Sequence, residues 1–454
     1  MKNVSVRLDS SNPGPAFPRI HEGRYEVDPE KTQIVPPSPL LVQSVKKAGI
    51  RLMRVGVGVW LPSQEPNSKE LKEREWFKGS TLADALDDSL YEWTHLDRVI
   101  DTCVALGCEV LLSVDYMPGS LAIKRDWELP EFIRQFVPPG YTFPDGVRNN
   151  APADPEVFAK ATLKLLKRVE ERGAHIRYVE LWNEPDIPIW WAGTFDEFWY
   201  LYVAFARVVS EAGYRVGGPS WAGLEEDKWF HSFIDRAAKE QVPLDFYSWH
   251  FYPSSFDATV DKARSVRERL DSAGLSATES ITDEWGWDLK DPFWWGTAKN
   301  AAYTAACFIA FAANGVSAQT QSLLVDPTVA SFGRTLGLTR REGEPNPVWF
   351  AVEAFERFQS TPNVISSAGK PVALAGLSED GTRLQAIFAN PYEEQMRFEL
   401  AVEGSVPGNL SIFDQESFDS EDGWRKGEEF ELKAGAEVVL EPWTLGFFEG
   451  LVGG

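Results

Sequence analysis

From about residue 36 to residue 358 the sequence alternates short apolar runs with longer stretches of helical periodicity, and this pattern restricts the chain to few architectures. A strand is predicted over Ile50–Val59. A helix near 90–106 follows, with Trp93, Leu96, Ile100 and Cys103 on one face and Gly107 as its stop. Next come strand Glu109–Val114, helix 155–173, strand 176–182, and a helix opened by the capping box Thr194-Phe195-Asp196-Glu197 and running to about Ala212. Strands Tyr214–Gly217, Phe246–His250, Ala277–Asp283 and Val316–Leu324 are each followed by a helix, at 227–240, 257–273, 297–314 and 347–358. A further helix, Pro39–Ala48, precedes the first of these seven units, so an eighth strand is expected upstream, at Val4–Leu8 or within Ile20–Val27. Eight such units imply a (β/α)8 barrel. The rival, a doubly wound open sheet, lacks its glycine-rich phosphate loop: Gly56-Val57-Gly58 follows a strand without the third glycine.

Beyond residue 360 the texture changes. Val372–Leu377, Arg383–Asn390, Arg397–Val402, Leu410–Phe413, Phe430–Leu432, Ala436–Leu440 and Thr444–Phe448 are short alternating runs broken by Gly, Asp, Asn and Pro, which reads as a β-sandwich. The expected division is a barrel over 1–358 and a sandwich over 359–454, with part of the Pro- and Gly-rich stretch before residue 36 free to pair with the sandwich.

A net charge of −23 disfavours nucleic acid and anionic membrane as partners, since both need clustered Lys and Arg. Three cysteines, Cys103, Cys108 and Cys307, are too few for a disulfide framework and read as buried small hydrophobes. The five histidines are scattered, so neither a metal site nor a cofactor is expected. The N-terminus lacks the apolar core of a signal peptide and no run is long enough to span a membrane, so a cytoplasmic protein is the expectation, or a secreted one if a leader has been removed. Many of the 18 tryptophans fall in loop-like stretches (Trp60, Trp76, Trp127, Trp190, Trp191, Trp221, Trp287, Trp294, Trp295), where flat faces suit sugar rings.

In a barrel the C-terminal strand ends face the site. Here they carry Arg54, Asp115, Asn183, Glu184, His250, Tyr252, Glu284 and Trp287. Glu184 follows the run Tyr178–Trp182 and precedes Pro185, which ends the strand; partial desolvation there suits a general acid. Glu284 ends Ser280-Ile281-Thr282-Asp283-Glu284. Two carboxylates from separate strand ends are the minimum machinery for cleaving a glycosidic bond. Asp283 competes with Glu284 for the nucleophile role. Strand alternation favours Glu284, with Thr282 and Ser280 expected on its side, facing the barrel interior.

The segments Leu181-Trp182-Asn183-Glu184-Pro185-Asp186, Trp190-Trp191-Ala192-Gly193, Phe198-Trp199-Tyr200-Leu201-Tyr202, Val216-Gly217-Gly218-Pro219 and Asp245–Tyr252 resemble the β-xylosidase / α-L-iduronidase family of clan-A glycoside hydrolases, family 39. Tyr91-Glu92-Trp93 with Leu96-Asp97, and Tyr116-Met117-Pro118, are similar to it as well, so that the likeness covers roughly residues 40–325. The resemblance implies a retaining mechanism. Glu184 would be the acid and base, Glu284 the nucleophile, and Asn183 a partner of the sugar 2-hydroxyl. Tyr252 or His250 would orient Glu284, and Arg54 would keep it ionised. The sequence departs from the family pattern in four places: no His follows the Arg54 strand, the run Ala318–Ser322 lacks an aromatic, the acidic pair expected in the loop after it is missing, and Gly286 stands where Asn or Ser is usual.

The expected function is therefore exo-acting hydrolysis of short neutral oligosaccharides such as β-xylosides. Asp283-Glu284-Trp285 also resembles the nucleophile segment of some arabinofuranosidases, so an arabinofuranosidase or endo-glucanase of the same clan is the alternative. A disabled carbohydrate-binding barrel would need Glu184 or Glu284 to be missing, and both are present.

Overall fold

The computed structural model describes residues 1–25, 36–57, 74–125, 128, 131, 148–223, 229–289, 291–326, 336–420 and 423–453. Strand β1 is Lys2–Leu8. Eight parallel strands then close into a barrel: β2 Gly23–Tyr25, β3 Leu52–Gly56, β4 Glu109–Val114, β5 Ile176–Leu181, β6 Val216–Trp221, β7 Phe246–Phe251, β8 Glu279–Trp285 and β9 Val316–Ser322. Closure is made by β2 against β9, with Arg24 opposite Gln321 and Tyr25 opposite Ser322. The open choice of first strand is thus resolved within Ile20–Val27, and β1 belongs elsewhere. The helices fall where the periodicity put them. Helix Phe195–Glu211 begins at a full capping box between Thr194 and Glu197, and helix Thr94–Leu106 ends on Gly107 at φ 77°, a conformation that favours glycine.

Side-chain alternation stacks the barrel interior in layers. Leu52, Leu111, Tyr178, Phe246, Ile281 and Ala318 form an apolar cluster separate from the main core. Two residues further along these strands stand Arg54, Ser113, Glu180, Ser248, Asp283 and Thr320, all buried. The interior therefore changes from apolar to polar toward the C-terminal strand ends.

The strand β6 extends to Trp221, beyond the predicted Gly217. Gly-Gly-Pro reads as a turn in sequence. Here Gly217 packs against β7 so closely that a Cβ would lie 2.1 Å from the carbonyl oxygen of Phe246.

The remaining strands are β10 Asn363–Val364, β11 Ser366–Ala368, β12 Ala373–Leu377, β13 Arg383–Ala389, β14 Met396–Val402, β15 Ser405–Phe413, β16 Arg425–Lys433, β17 Glu437–Leu440 and β18 Leu445–Leu451. They form a six-stranded sheet in the order β10-β12-β13-β18-β15-β16 and a four-stranded sheet in the order β11-β1-β14-β17. The N-terminal β1 pairs in parallel with β14, Val4 opposite Phe398. The two sheets meet as a sandwich, with the rings of Phe388 and Phe398 5.3 Å apart. Helix Ala298–Ala313 packs against both β9 and the six-stranded sheet, which is why it is buried along almost its whole length.

Candidate active site

Glu184 lies just past the end of β5, the fourth barrel strand, and Glu284 lies on β8, the seventh. The chain leaves β5 through two residues with left-handed backbone, Trp182 at φ 75° and Glu184 at φ 49°. Such conformations in bulky residues are costly and persist only where the surroundings impose them. The Trp182 ring is buried, its Nε1 donating to the carbonyl of Trp190, and the Glu184 N–H donates to the Ser220 carbonyl at 3.0 Å. These contacts fix where the Asn183 and Glu184 side chains emerge.

Carboxylate oxygens of Glu184 and Glu284 and a ring nitrogen of His250 all lie within 4.8 Å of one another. His250 Nδ1 is 2.9 Å from Glu184 Oε1 and its Nε2 is 3.3 Å from Asp283 Oδ2. Burial disfavours a charge on the ring, but the Asp283 and Glu284 carboxylates outweigh it and hold the imidazole well above its ordinary range. Tyr252 donates its hydroxyl to Glu284 Oε1 at 2.8 Å and is also 2.6 Å from Ser322 Oγ. The Glu284 carboxyl is raised by burial, against the pull of His250, and Glu184 adds to the rise. A cation could take a ligand from His250 only if the ring gave up its bonds to these carboxylates.

Arg54 is fully enclosed beneath the pair. Its Nε donates to Glu180 Oε2 at 2.9 Å, its Nη2 lies 2.8 Å from the same oxygen, and Nε is also 2.9 Å from Asp283 Oδ2. Its Nη2 donates to Asn183 Oδ1 and Ser220 Oγ, both at 2.9 Å, and its Nη1 is 3.6 Å from Glu284 Oε2. The structural ion pair and the proximity to Glu284 are thus both realised. Asp115 is buried below Gly56, where a Cβ would lie 2.9 Å from its carboxylate.

Two expectations need correction. Thr282 and Ser280 do not share the side of Glu284: Ile281 joins the interior apolar cluster, Asp283 reaches Arg54, and Ser280 accepts from Trp249 Nε1. The register between β7 and β8 shifts so that Thr282 faces Trp249 but Glu284, not Asp283, faces His250. This bulge turns Asp283 and Glu284 both toward the site, which simple alternation forbids. The loop tryptophans are mostly packing. Trp76, Trp191, Trp221, Trp287, Trp294 and Trp295 are all buried. Trp287 stacks on Trp294 at 4.1 Å with an edge toward Trp443 of the sandwich, so it is not an open platform. Trp190 is half-buried beside Tyr116, whose hydroxyl is 3.4 Å from Asn183 Nδ2. Trp60 and Trp127, and Gly58 of the glycine run, lie outside the described residues.

The sequence reading missed Glu180, Ser113 and Ser220. Glu180 has no exposed surface and burial pushes its carboxyl up to about 7, opposed by Arg54. Its signal was a lone acid two residues after Tyr178, on the same side by alternation, in the run Tyr178–Leu181 that is otherwise Tyr, Val and Leu.

The closed barrel thus carries glutamates at the ends of its fourth and seventh strands. The profile described as glycosyl hydrolases family 39 matches residues 163–270. A β-xylosidase of Caldicellulosiruptor saccharolyticus is 28% identical over 192 residues, 41% of this chain and 36% of that protein. A β-xylosidase of Geobacillus stearothermophilus is 26% identical over 167 residues, 36% of this chain and 31% of that protein. The chain thus aligns with about a third of the length of these relatives. The crystal structure of a monomeric β-xylosidase from Caulobacter crescentus superposes with a TM-score of 0.70 at 16% identity, covering 100% of both chains. Over residues 163–270 the chain is similar to family 39 of the glycosyl hydrolases, and its fold is that of the β-xylosidase structure.

Proposed function

We propose that this protein hydrolyses glycosidic bonds with retention, releasing single sugars from short neutral oligosaccharides, with a β-xyloside as the leading substrate. The observation that carries the reading is the approach of Glu184 and Glu284 to within 4.8 Å, measured between carboxylate oxygens. Retaining enzymes need carboxyl groups about 5–5.5 Å apart, whereas inverting ones leave room for a water at about 6.5–9.5 Å.

In the first step a Glu284 oxygen bonds the anomeric carbon while the bond to the leaving oxygen breaks, and Glu184 gives that oxygen its proton. In the second, Glu184 takes a proton from water, the water oxygen bonds the anomeric carbon, and Glu284 departs. Tyr252 holds Oε1 of Glu284, which leaves Oε2, facing Arg54 Nη1 and His250, as the attacking oxygen. Arg54 fixes the Asn183 amide by occupying its Oδ1, so Nδ2 is the group available to a sugar hydroxyl. The β-xylosidase relatives motivate the choice of sugar.

The test is a panel of aryl glycosides: β-xyloside, α-arabinofuranoside, α-arabinopyranoside, β-galactoside and β-glucoside. Release from one of them, lost in Glu284→Ala and partly restored by azide with the anomer inverted, is the expected result. Wild-type activity in Glu284→Ala overturns the assignment. Preference for the arabinofuranoside selects the alternative specificity. Tight sugar binding with no turnover returns the disabled barrel.

A further inference from the structure

Asp283 reaches the site without being one of the two reacting carboxylates. It has no exposed surface. Its Oδ2 accepts from Ser220 Oγ at 2.5 Å, forms an ion pair with Arg54 Nε at 2.9 Å and faces His250 Nε2 at 3.3 Å. Its backbone carbonyl accepts from Thr320 Oγ1. The other ring nitrogen of His250 is the one that meets Glu184.

We propose that Asp283 is a positioning residue for Glu184, acting through His250; this rests on the reading of Glu184 as acid and base. By accepting from Nε2, Asp283 keeps a proton there and fixes the plane of the ring. Nδ1 is then always the atom presented to Glu184. That carboxyl must change from proton donor to proton acceptor between the two steps. An Nδ1 that donates to Glu184 Oε1, whether that carboxyl is ionised or protonated, holds it in the same rotamer through both. The charged groups around the ring are Glu184 from the end of β5, Asp283 and Glu284 from β8, and Arg54 bridging from β3.

The geometry also says where the effect of neutralising Asp283 falls. Arg54 keeps Glu180, Asn183 and Ser220 as partners without it. His250 Nε2 exchanges a carboxylate for a neutral amide oxygen, and the ring loses the charge that holds its proton and its plane. The ring meets Glu184 at 2.9 Å and Glu284 at 3.8 Å, so the leaving-group series is what separates an effect on the acid from one on the nucleophile.

The experiment measures kcat/KM of Asp283→Asn against aryl glycosides, of the sugar the panel selects, whose leaving groups run from dinitrophenol to phenol. A dinitrophenolate departs without protonation, whereas a phenolate needs the acid, whose assistance is worth about 10²–10⁴-fold. The expected result is a loss of about 100-fold on the phenyl glycoside and less than about fivefold on the dinitrophenyl glycoside. An equal loss across the series overturns the proposal, because damage to the nucleophile, or to the fold at large, slows every substrate alike. Unchanged kinetics overturn it too. If Asp283→Asn does not fold, His250→Asn is read by the same series: the same steepening is expected, and a uniform loss refutes the route through the ring. Glu184→Ala run alongside separates the two readings. If that variant shows no leaving-group dependence, the role of Glu184 itself has failed.

Discussion

Replacing Tyr252 by Phe removes one hydroxyl from the site and little else. The hydroxyl donates to Glu284 Oε1 at 2.8 Å and lies 2.6 Å from Ser322 Oγ, while the ring, with its centroid 6.2 Å from that of Trp295, is retained. A hydrogen bond to an ionised group contributes about 1.5–3 kcal/mol, and each factor of ten in rate is about 1.4 kcal/mol. The predicted fall in kcat/KM is therefore roughly 10- to 100-fold. The direction on pH follows from the same bond. Tyr252 favours the carboxylate form of Glu284, which burial already pushes upward. Without the hydroxyl the carboxyl rises further, and because Glu284 must be ionised to attack, the acidic limb of the pH profile moves to higher pH. The assay is kcat/KM from acid to neutral pH on the best substrate of the panel, with thermal unfolding as a control for the fold. An acidic limb that stays put or moves down, or a loss under about twofold, refutes the account of how Glu284 is held.

Three further predictions concern stability. Glu356 receives Arg19, His21 and Arg51; burial raises its carboxyl, but the bonds from His21 and Arg51 outweigh this and hold it well below the usual range. Glu356→Gln should cost about 1–2 kcal/mol at neutral pH, measured by denaturant titration. A depressed folded-state value means the wild-type advantage is present above the ordinary carboxylate range and is lost as pH falls through the folded value. The gap between the two proteins should therefore narrow on acidification, and a gap that widens refutes the sign. Gly286→Ala places a Cβ 1.9 Å from Cη2 of the buried Trp295, which must move; a loss of about 1–3 kcal/mol is expected, and unchanged melting would show that the ring yields freely. Trp443→Ala removes the edge contacts to Trp287 and Trp294, at 5.9 and 5.3 Å, that tie the loop after β8 to the sandwich. Melting should detect a loss of about 1–3 kcal/mol.

The barrel was legible because its signals are local. Apolar runs, the Thr194–Glu197 box and Gly107 each report on a few neighbouring residues, and every predicted helix has a counterpart among the described residues. Glu184 and Glu284 were legible for the same reason, as acids at the ends of strand-like runs. The roles of Thr282 and Asp283 were not, because a bulge is a property of pairing between β7 and β8 and leaves no mark in the β8 sequence alone. Trp287 was misplaced because a tryptophan in a loop looks the same whether it faces a sugar or the ring of Trp294.

The sequence by itself determined the eight-unit barrel, the strands of the C-terminal region (though not its short helix Gln415–Asp419) and the two strand ends that bear glutamates, since periodicity and turn chemistry act over a few residues. Only the tertiary structure decided that Lys2–Leu8 joins the sandwich beside Phe398 while Gly23–Tyr25 closes the barrel. It alone brought Arg54, Glu180, Asp283 and His250 together beneath Glu184 and Glu284. These groups come from four strands far apart in the chain. Their mutual charges become strong only once closure of the barrel has removed the water between them.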